Sequence, residues 1–231
     1  MKITKELLKE KGACAAGYRD FLKEYPVAEY PDGVEYQELL DCCAEKNFKY
    51  GSWLLGVFGR TDEVRKIDGD LIVERGIIFA GRLEVEGRIE AGMDIKAGWG
   101  IEAGRGIKAV GGIEAGMGIK AGDGIKAGDG IEAGGSIKAG RGIEAGLGIK
   151  AGMDIKAGWD IAAGWGIEAG LGIEAGLGIE AGWGIEAGDE FGIYAGLRCR
   201  ITNKTLRKII AKERPENIMC GEFEEKKDDA V

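Results

Sequence analysis

The groups with which this chain could do chemistry are few in kind. Its 231 residues include 40 acids and 32 bases but no histidine. Proton and acyl transfer commonly lean on an imidazole base, and no Ser-His or Cys-His pair can be assembled here. Five cysteines, Cys14, Cys42, Cys43, Cys199 and Cys220, are irregularly spaced, and none stands in a C-x-x-C pair. A zinc site would have to be built from thiolates or carboxylates alone. Buried or half-buried free thiols in a reducing cytoplasm are the simpler expectation, with no metal and no cofactor. Carboxylates are numerous enough for an acid/base pair. Yet Glu168, Glu174, Glu180 and Glu186 recur at every sixth position, and none of them is set apart. The many Gly-x-Gly strings lack the strand before and the helix after that a dinucleotide loop requires. The expectation is a protein that is not an enzyme.

What must position any functional residue is a repeat. From Ile89 to Ile185 seventeen isoleucines follow one another at six-residue spacing, in units reading Ile, Glu or Lys, Ala, Gly, variable, Gly or Asp. The phrases opening at Leu71, Ile77 and Leu83 keep the same spacing more loosely. A helix repeats every 3.6 residues, so a period of six would spiral the isoleucines around it, and the 43 glycines would destabilise it further. A strand repeats every two. In Ile-Glu-Ala the Ile and Ala therefore share one side while the charge takes the other, and Gly-x-Gly turns the corner. Strand and corner repeated without limit predict a mainly β fold, a single-stranded parallel β-helix. Charge pairing sets the coil. With residue i stacked on i+18, the second-position charges give seven opposite and five like pairs, and like charges directly opposite are destabilising. About 18 residues per coil is the expectation, with the isoleucines stacked inward.

Residues 1–60 read as a small helical module. Thr4 can cap a helix carrying Leu7 and Leu8 that stops near Gly12. Tyr18, Phe21, Leu22 and Tyr25 mark a second helix ended by Pro26, and Tyr36, Leu39, Leu40 and Cys43 share a face of a third. Residues 61–202 form the solenoid. After Asp189 the register slips by two and resumes at Ile193 and Cys199. Residues 203–231 supply one or two closing strands and a charged tail. The module and the closing segment are expected to block end-to-end strand pairing. No apolar run is long enough to span a bilayer and no secretory signal is seen, so a cytoplasmic location away from membranes is expected.

The fifth position of the unit is the informative one. Arg105, Asp123, Asp129 and Arg141 occupy it, and charge without partners would be prohibitively costly in a narrow lumen. The position is therefore assigned to outward-facing corners. Leu147, Met153, Trp159, Trp165, Leu171, Leu177 and Trp183 then lie outside, and such exposed apolar surface usually marks contacts. At 18 residues per coil, Leu147, Trp165 and Trp183 share one edge. Met153 stacks with Leu171 and Trp159 with Leu177 on the other two. The alternative is that the C-terminal segment covers them. Glu168, Glu174, Glu180 and Glu186 form a candidate acidic face. Residues 89–188 hold fourteen acids and nine bases, a poor imitation of a single-sign polyanion, so nucleic-acid mimicry ranks last and nucleic-acid binding has no basic footprint.

These repeats resemble two families. Six-residue units led by an aliphatic residue are similar to the left-handed hexapeptide helices of acyltransferases. Those place a small residue two before the aliphatic one, whereas here Ala stands two after it. The "IEAG" phrasing more closely resembles bactofilins, polymer-forming bacterial cytoskeletal proteins. That resemblance implies a right-handed triangular coil and self-association. "ITKELLKEKGACAAGYRDFLKEYP" and "RPENIMCGEF" resemble segments of phage and prophage accessory proteins, which implies a phage origin and carries over no catalytic residue. The leading expectation is a non-enzymatic binding protein engaging a host or phage protein, with a host defence complex as one candidate. A bactofilin-like self-associating solenoid or homodimer is the alternative, and an acidic DNA mimic the second.

Overall fold

A computed structural model describes residues 1–46, 48–188, 192–197 and 207–227. Three-residue strands wind into three parallel sheets, and each strand pairs with the one eighteen residues on, in register. Face I runs through Leu71, Ile89, Ile107, Ile125, Ile143, Ile161 and Ile179. Face II runs from Ile77 to Ile185, and face III from Leu83 to Ile173 and then Ile193. Faces I and III have nine strands and face II seven. At about 4.8 Å per strand a nine-stranded face is about 38 Å long. The sequence expectation of an eighteen-residue coil is met.

The lumen is dry and continuous. From Ile89 to Ile179 every first-position isoleucine is at most 1% exposed, and the third-position alanines between them are buried too. In the first coil Val73, Phe79 and Val85 replace alanine and widen the packing.

The corners explain the glycines, by close approach and not by backbone conformation. None of the repeat glycines from Gly92 to Gly188 has a positive φ. At the fourth position a Cβ on Gly116, Gly134 or Gly152 would lie 2.1 to 2.3 Å from a carbonyl oxygen of the coil before it. Val110 is the exception in this series. Its side chain is 65% exposed, the next two residues are glycines, and the ladder bond from Gly111 to the Met93 carbonyl lengthens to 3.3 Å. From the Gly98–Ile101 corner to the Gly170–Ile173 corner the first-, fourth- and fifth-position N–H groups all find carbonyls in adjacent coils. The sixth-position N–H does not, and aspartate at the sixth position answers it. Asp94 accepts from Gly112 N–H at 2.6 Å and Asp160 from Gly178 N–H at 2.8 Å.

Both ends depart from the pattern. The helices are α1 (Lys5–Glu10), α2 (Ala15–Glu24), α3 (Tyr36–Lys46) and α4 (Phe48–Phe58). Thr4 caps α1 through Leu7 N–H, and Gly12 follows it with φ +78°. An antiparallel pair, Lys2–Ile3 with Val34–Glu35, ties the module together and was not legible in the sequence. The module blocks the open end of the coil, as expected, only over face II, where it meets the unpaired edge of the first strand. Its core takes in Ile78 and Ala80, so it docks on the flank of face II. There Gln37 imitates a strand: its Nε2 donates to the Ile78 carbonyl at 2.8 Å and its Oε1 accepts from Ala80 N–H at 3.0 Å. Strands Val64–Ile67 and Leu71–Val73 end their sheets with no strand beneath them among the described residues. Gln37→Ala should cost about 1–3 kcal/mol, because it leaves two half-buried backbone groups without partners. A chemical melt should show that loss, and proteolysis should release residues 1–60 first.

At the C-terminal end Ile193 follows Ile173 on face III, as the two-residue slip requires. The continuation expected at Cys199 lies outside the described residues. Face I is instead extended by Lys208–Ala211, with Ile209 on Ile179. Ile218–Cys220 and Glu222–Glu225 then close faces III and I, so the closing strands number three among the described residues, where one or two were expected.

Candidate interaction surface

The fifth-position side chains stand at the three edges and point outward. Successive residues on an edge are joined through the backbone, Trp165 N–H to Leu147 O at 3.1 Å and Trp183 N–H to Trp165 O at 2.8 Å. Edge I–II thus carries Leu147, Trp165 and Trp183 in a column, 36%, 60% and 65% exposed. Leu171 follows Met153 on edge II–III, and Leu177 follows Trp159 on edge III–I. The structure therefore assembles the seven apolar residues into three short ridges, not one patch. Trp159 is half exposed and Leu171 and Leu177 are half-buried.

Local cover is partial. Lys212 continues the edge I–II column beyond Trp183, donating to its carbonyl at 2.8 Å, and its ammonium lies 5.1 Å from the Trp183 ring. The Arg141 guanidinium sits 5.5 Å from the Trp159 ring. These contacts leave both indoles largely open. Trp99, earlier on edge II–III, is different: Arg60 stacks on it at 3.9 Å and it is half-buried. The segment after α4 covers that tryptophan, and among the described residues nothing comparable covers Trp165.

The candidate acidic face does not hold together. Glu168 and Glu186 belong to face II, Glu174 to face III and Glu180 to face I. Three of the four are neutralised: Glu168 by Lys150 at 2.9 Å, Glu174 by Lys156 at 2.8 Å and Glu180 by Lys226 at 2.9 Å. Period six around a three-sided coil sends consecutive units to different faces, and the linear run of glutamates hid this. The same stacking pairs Lys96 with Glu114, Lys120 with Glu102 and Lys126 with Glu144, each within 2.7 Å. The glutamate partners hold the Lys150 and Lys156 ammonium groups above their ordinary range through hydrogen bonds first. Each such exposed pair contributes only about 0–1 kcal/mol, so they fix register more than they add stability.

A trough of about 1090 Å³ runs along face II, with Trp165 in its wall and the Lys96, Glu114, Glu132, Lys150, Glu168 and Glu186 row in its floor. Ser52 of the module lies at one end and the Glu213–Asn217 turn at the other. A second cavity, about 350 Å³, lies inside the helical module against Cys14, Cys42, Cys43, Tyr25 and Trp53. Burial pushes the Cys43 thiol up to about 12, helped by the neighbouring Cys42, and burial raises Tyr25 and Tyr36 as well. A pKa raised on folding contributes stability that is whole below the unfolded value and is lost as pH climbs to the folded one. The module should therefore loosen between pH 9.0 and about 12, before the solenoid, whose lumen holds no ionisable group among the described residues. Helical circular dichroism against pH would show it.

Among the described residues no group of three or more Cys, Asp or Glu side chains could hold a metal ion, and no helix is long and apolar enough to cross a membrane. The fold and its edges define a parallel β-solenoid of eighteen-residue coils with a helical module on its flank. The sequence matches no protein-family model, and neither a curated protein nor a solved structure matches the chain.

Proposed function

We propose that this is a non-enzymatic binding protein, in which a rigid prism presents apolar edges to a protein partner. The observation that carries the reading is the exposure of Trp159, Trp165 and Trp183, 49–65%, on one half of the solenoid. Tryptophan is a favoured anchor of interfaces. Here it rides on a backbone fixed by two neighbouring coils, so little ordering entropy opposes binding. The phage-like wording of both termini makes a host protein complex in the bacterial cytoplasm the first candidate. Affinity capture with the wild-type chain and with Trp159→Ser, Trp165→Ser and Trp183→Ser, singly and together, tests the proposal. A partner lost by the triple variant, and bound again when purified partner meets wild type, is expected. Equal capture by all forms would move the activity to the helical module.

End-to-end self-association of the bactofilin kind is the second reading. It is favoured by the terminal strands Val64–Ile67 and Leu71–Val73, which have no strand beneath them among the described residues. DNA mimicry gains nothing from glutamates spread over three faces and mostly paired.

A further inference from the structure

Edge I–II differs from the other two in what flanks it. Its upper half is the ridge of Leu147, Trp165 and Trp183. Beside it, on either side, run the second-position charges of faces I and II. In four consecutive coils these are opposite in sign: Glu90 with Lys96, Lys108 with Glu114, Lys126 with Glu132 and Glu144 with Lys150. We propose that this edge is the seam of a homodimer whose two-fold axis runs parallel to the solenoid axis, each coil meeting the same coil of a second copy. The inference rests on reading the apolar edges as contact surfaces.

The charges select the orientation. A two-fold parallel to the axis exchanges left and right flanks at constant height. Face I of one copy then lies beside face II of the other, and four coils present opposite charges on both flanks. Like charges meet at the Glu180 and Glu186 level and on the edge itself, where Asp94 and Asp129 each face their own copy, fewer than the opposite pairs on the flanks. A perpendicular two-fold centred on Trp165 would set each face against itself reversed, Glu144 against Glu180 and Glu168 against Glu168, with Lys150 against Glu186 the one opposite pair at these levels. That arrangement brings like charges together beside the ridge, which is destabilising. The apolar half supplies adhesion and the charged half supplies direction. The face II row lies in the floor of the trough walled by Trp165, so lysines and glutamates of the partner's face I enter it.

The size of the ridge sets the strength. Two tryptophans and a leucine at their observed exposure offer roughly 750 Å² over both copies, below the about 1,200 Å² typical of a stable interface. The flanking charges must contribute, so association should be moderate and salt-sensitive.

Sedimentation of the full chain over a concentration series, combined with oxidation of an Asp129→Cys variant, tests this. Asp129 is on the same edge one coil before Leu147, outside the apolar ridge. In the parallel dimer position 129 meets itself and forms a disulfide between copies, identified by peptide mass spectrometry against the native cysteines. In the perpendicular arrangement it faces the Lys212 level and does not. Lys108→Glu, at a residue with no ion pair among the described residues, should weaken dimerisation about fivefold, since two opposite pairs become like pairs. A monomer at every concentration, a dimer without the 129–129 link, or unchanged association of Lys108→Glu would overturn the proposal. Partner capture lost by Trp159→Ser in a chain that still dimerises separates this seam from the partner-binding reading.

Discussion

Ile137→Ala is expected to destabilise the solenoid by about 2–5 kcal/mol, the range for truncating a fully buried isoleucine. Ile137 is 0% exposed and lies between Ile119 and Ile155 in the face III ladder. Its removal opens a gap with isoleucine above, below and across the lumen, and the narrow coil cannot collapse to fill it. Each coil touches only its neighbours, so stability is close to a sum of coil and interface contributions. The loss should therefore depend on height. Ile185, 5% exposed in the last strand of face II, should cost about half as much when changed to alanine. Guanidinium unfolding followed by far-ultraviolet circular dichroism would rank the two. Equal losses would mean that the ladder unfolds as one unit.

Gly146→Ala should be nearly as damaging although it adds a single methyl group. The new Cβ would lie 1.9 Å from the Gly128 carbonyl oxygen and 3.0 Å from its carbon. Those atoms belong to the backbone of the coil below and are held by the ladder, so coils must separate at that corner. A cost of about 2–3 kcal/mol follows from overpacking of this kind. The control lies two residues further on. At Gly148 the nearest atom to a Cβ is the Gly166 carbonyl at 3.4 Å, an ordinary contact. Gly148→Asp would place a carboxylate as Asp94 and Asp160 are placed, ready to accept from the next sixth-position N–H. It should leave stability unchanged or raise it by about 1 kcal/mol. If the two substitutions had the same effect, close approach would not be what keeps the fourth position glycine.

Much of this was legible because period six admits few solutions. Isoleucine spacing alone led to a parallel coil. The opposite-sign pairs at i+18 led to three faces, and Lys96–Glu114 and Lys156–Glu174 form as that register requires. The outward direction of the fifth position followed from the cost of burying Arg105 or Asp123. What was not legible had no periodic signature. Docking of the module on the flank depends on Ile78, which in the repeat reads as an outward residue and is buried because α3 and Gly51 of α4 pack on it. Gln37 resembles any helical surface glutamine until its carboxamide meets the first face II strand. Ile209 follows Ile179 on face I thirty residues on instead of eighteen, a spacing that no register rule marks. The acidic face failed because a run in the sequence was read as a run in space.

The corner bonds carry a last consequence. Each coil is joined to the next by the same contacts at the same three corners, so nothing in the ladder records how many turns there are. Removing residues 113–130, one whole turn, would rejoin Gly112 to Ile131, another first-position isoleucine on face II. The prism would shorten by about 4.8 Å with every remaining side chain facing as before. Such a chain works as an adjustable gauge, on which the distance between the helical module and the tryptophans is set by counting turns.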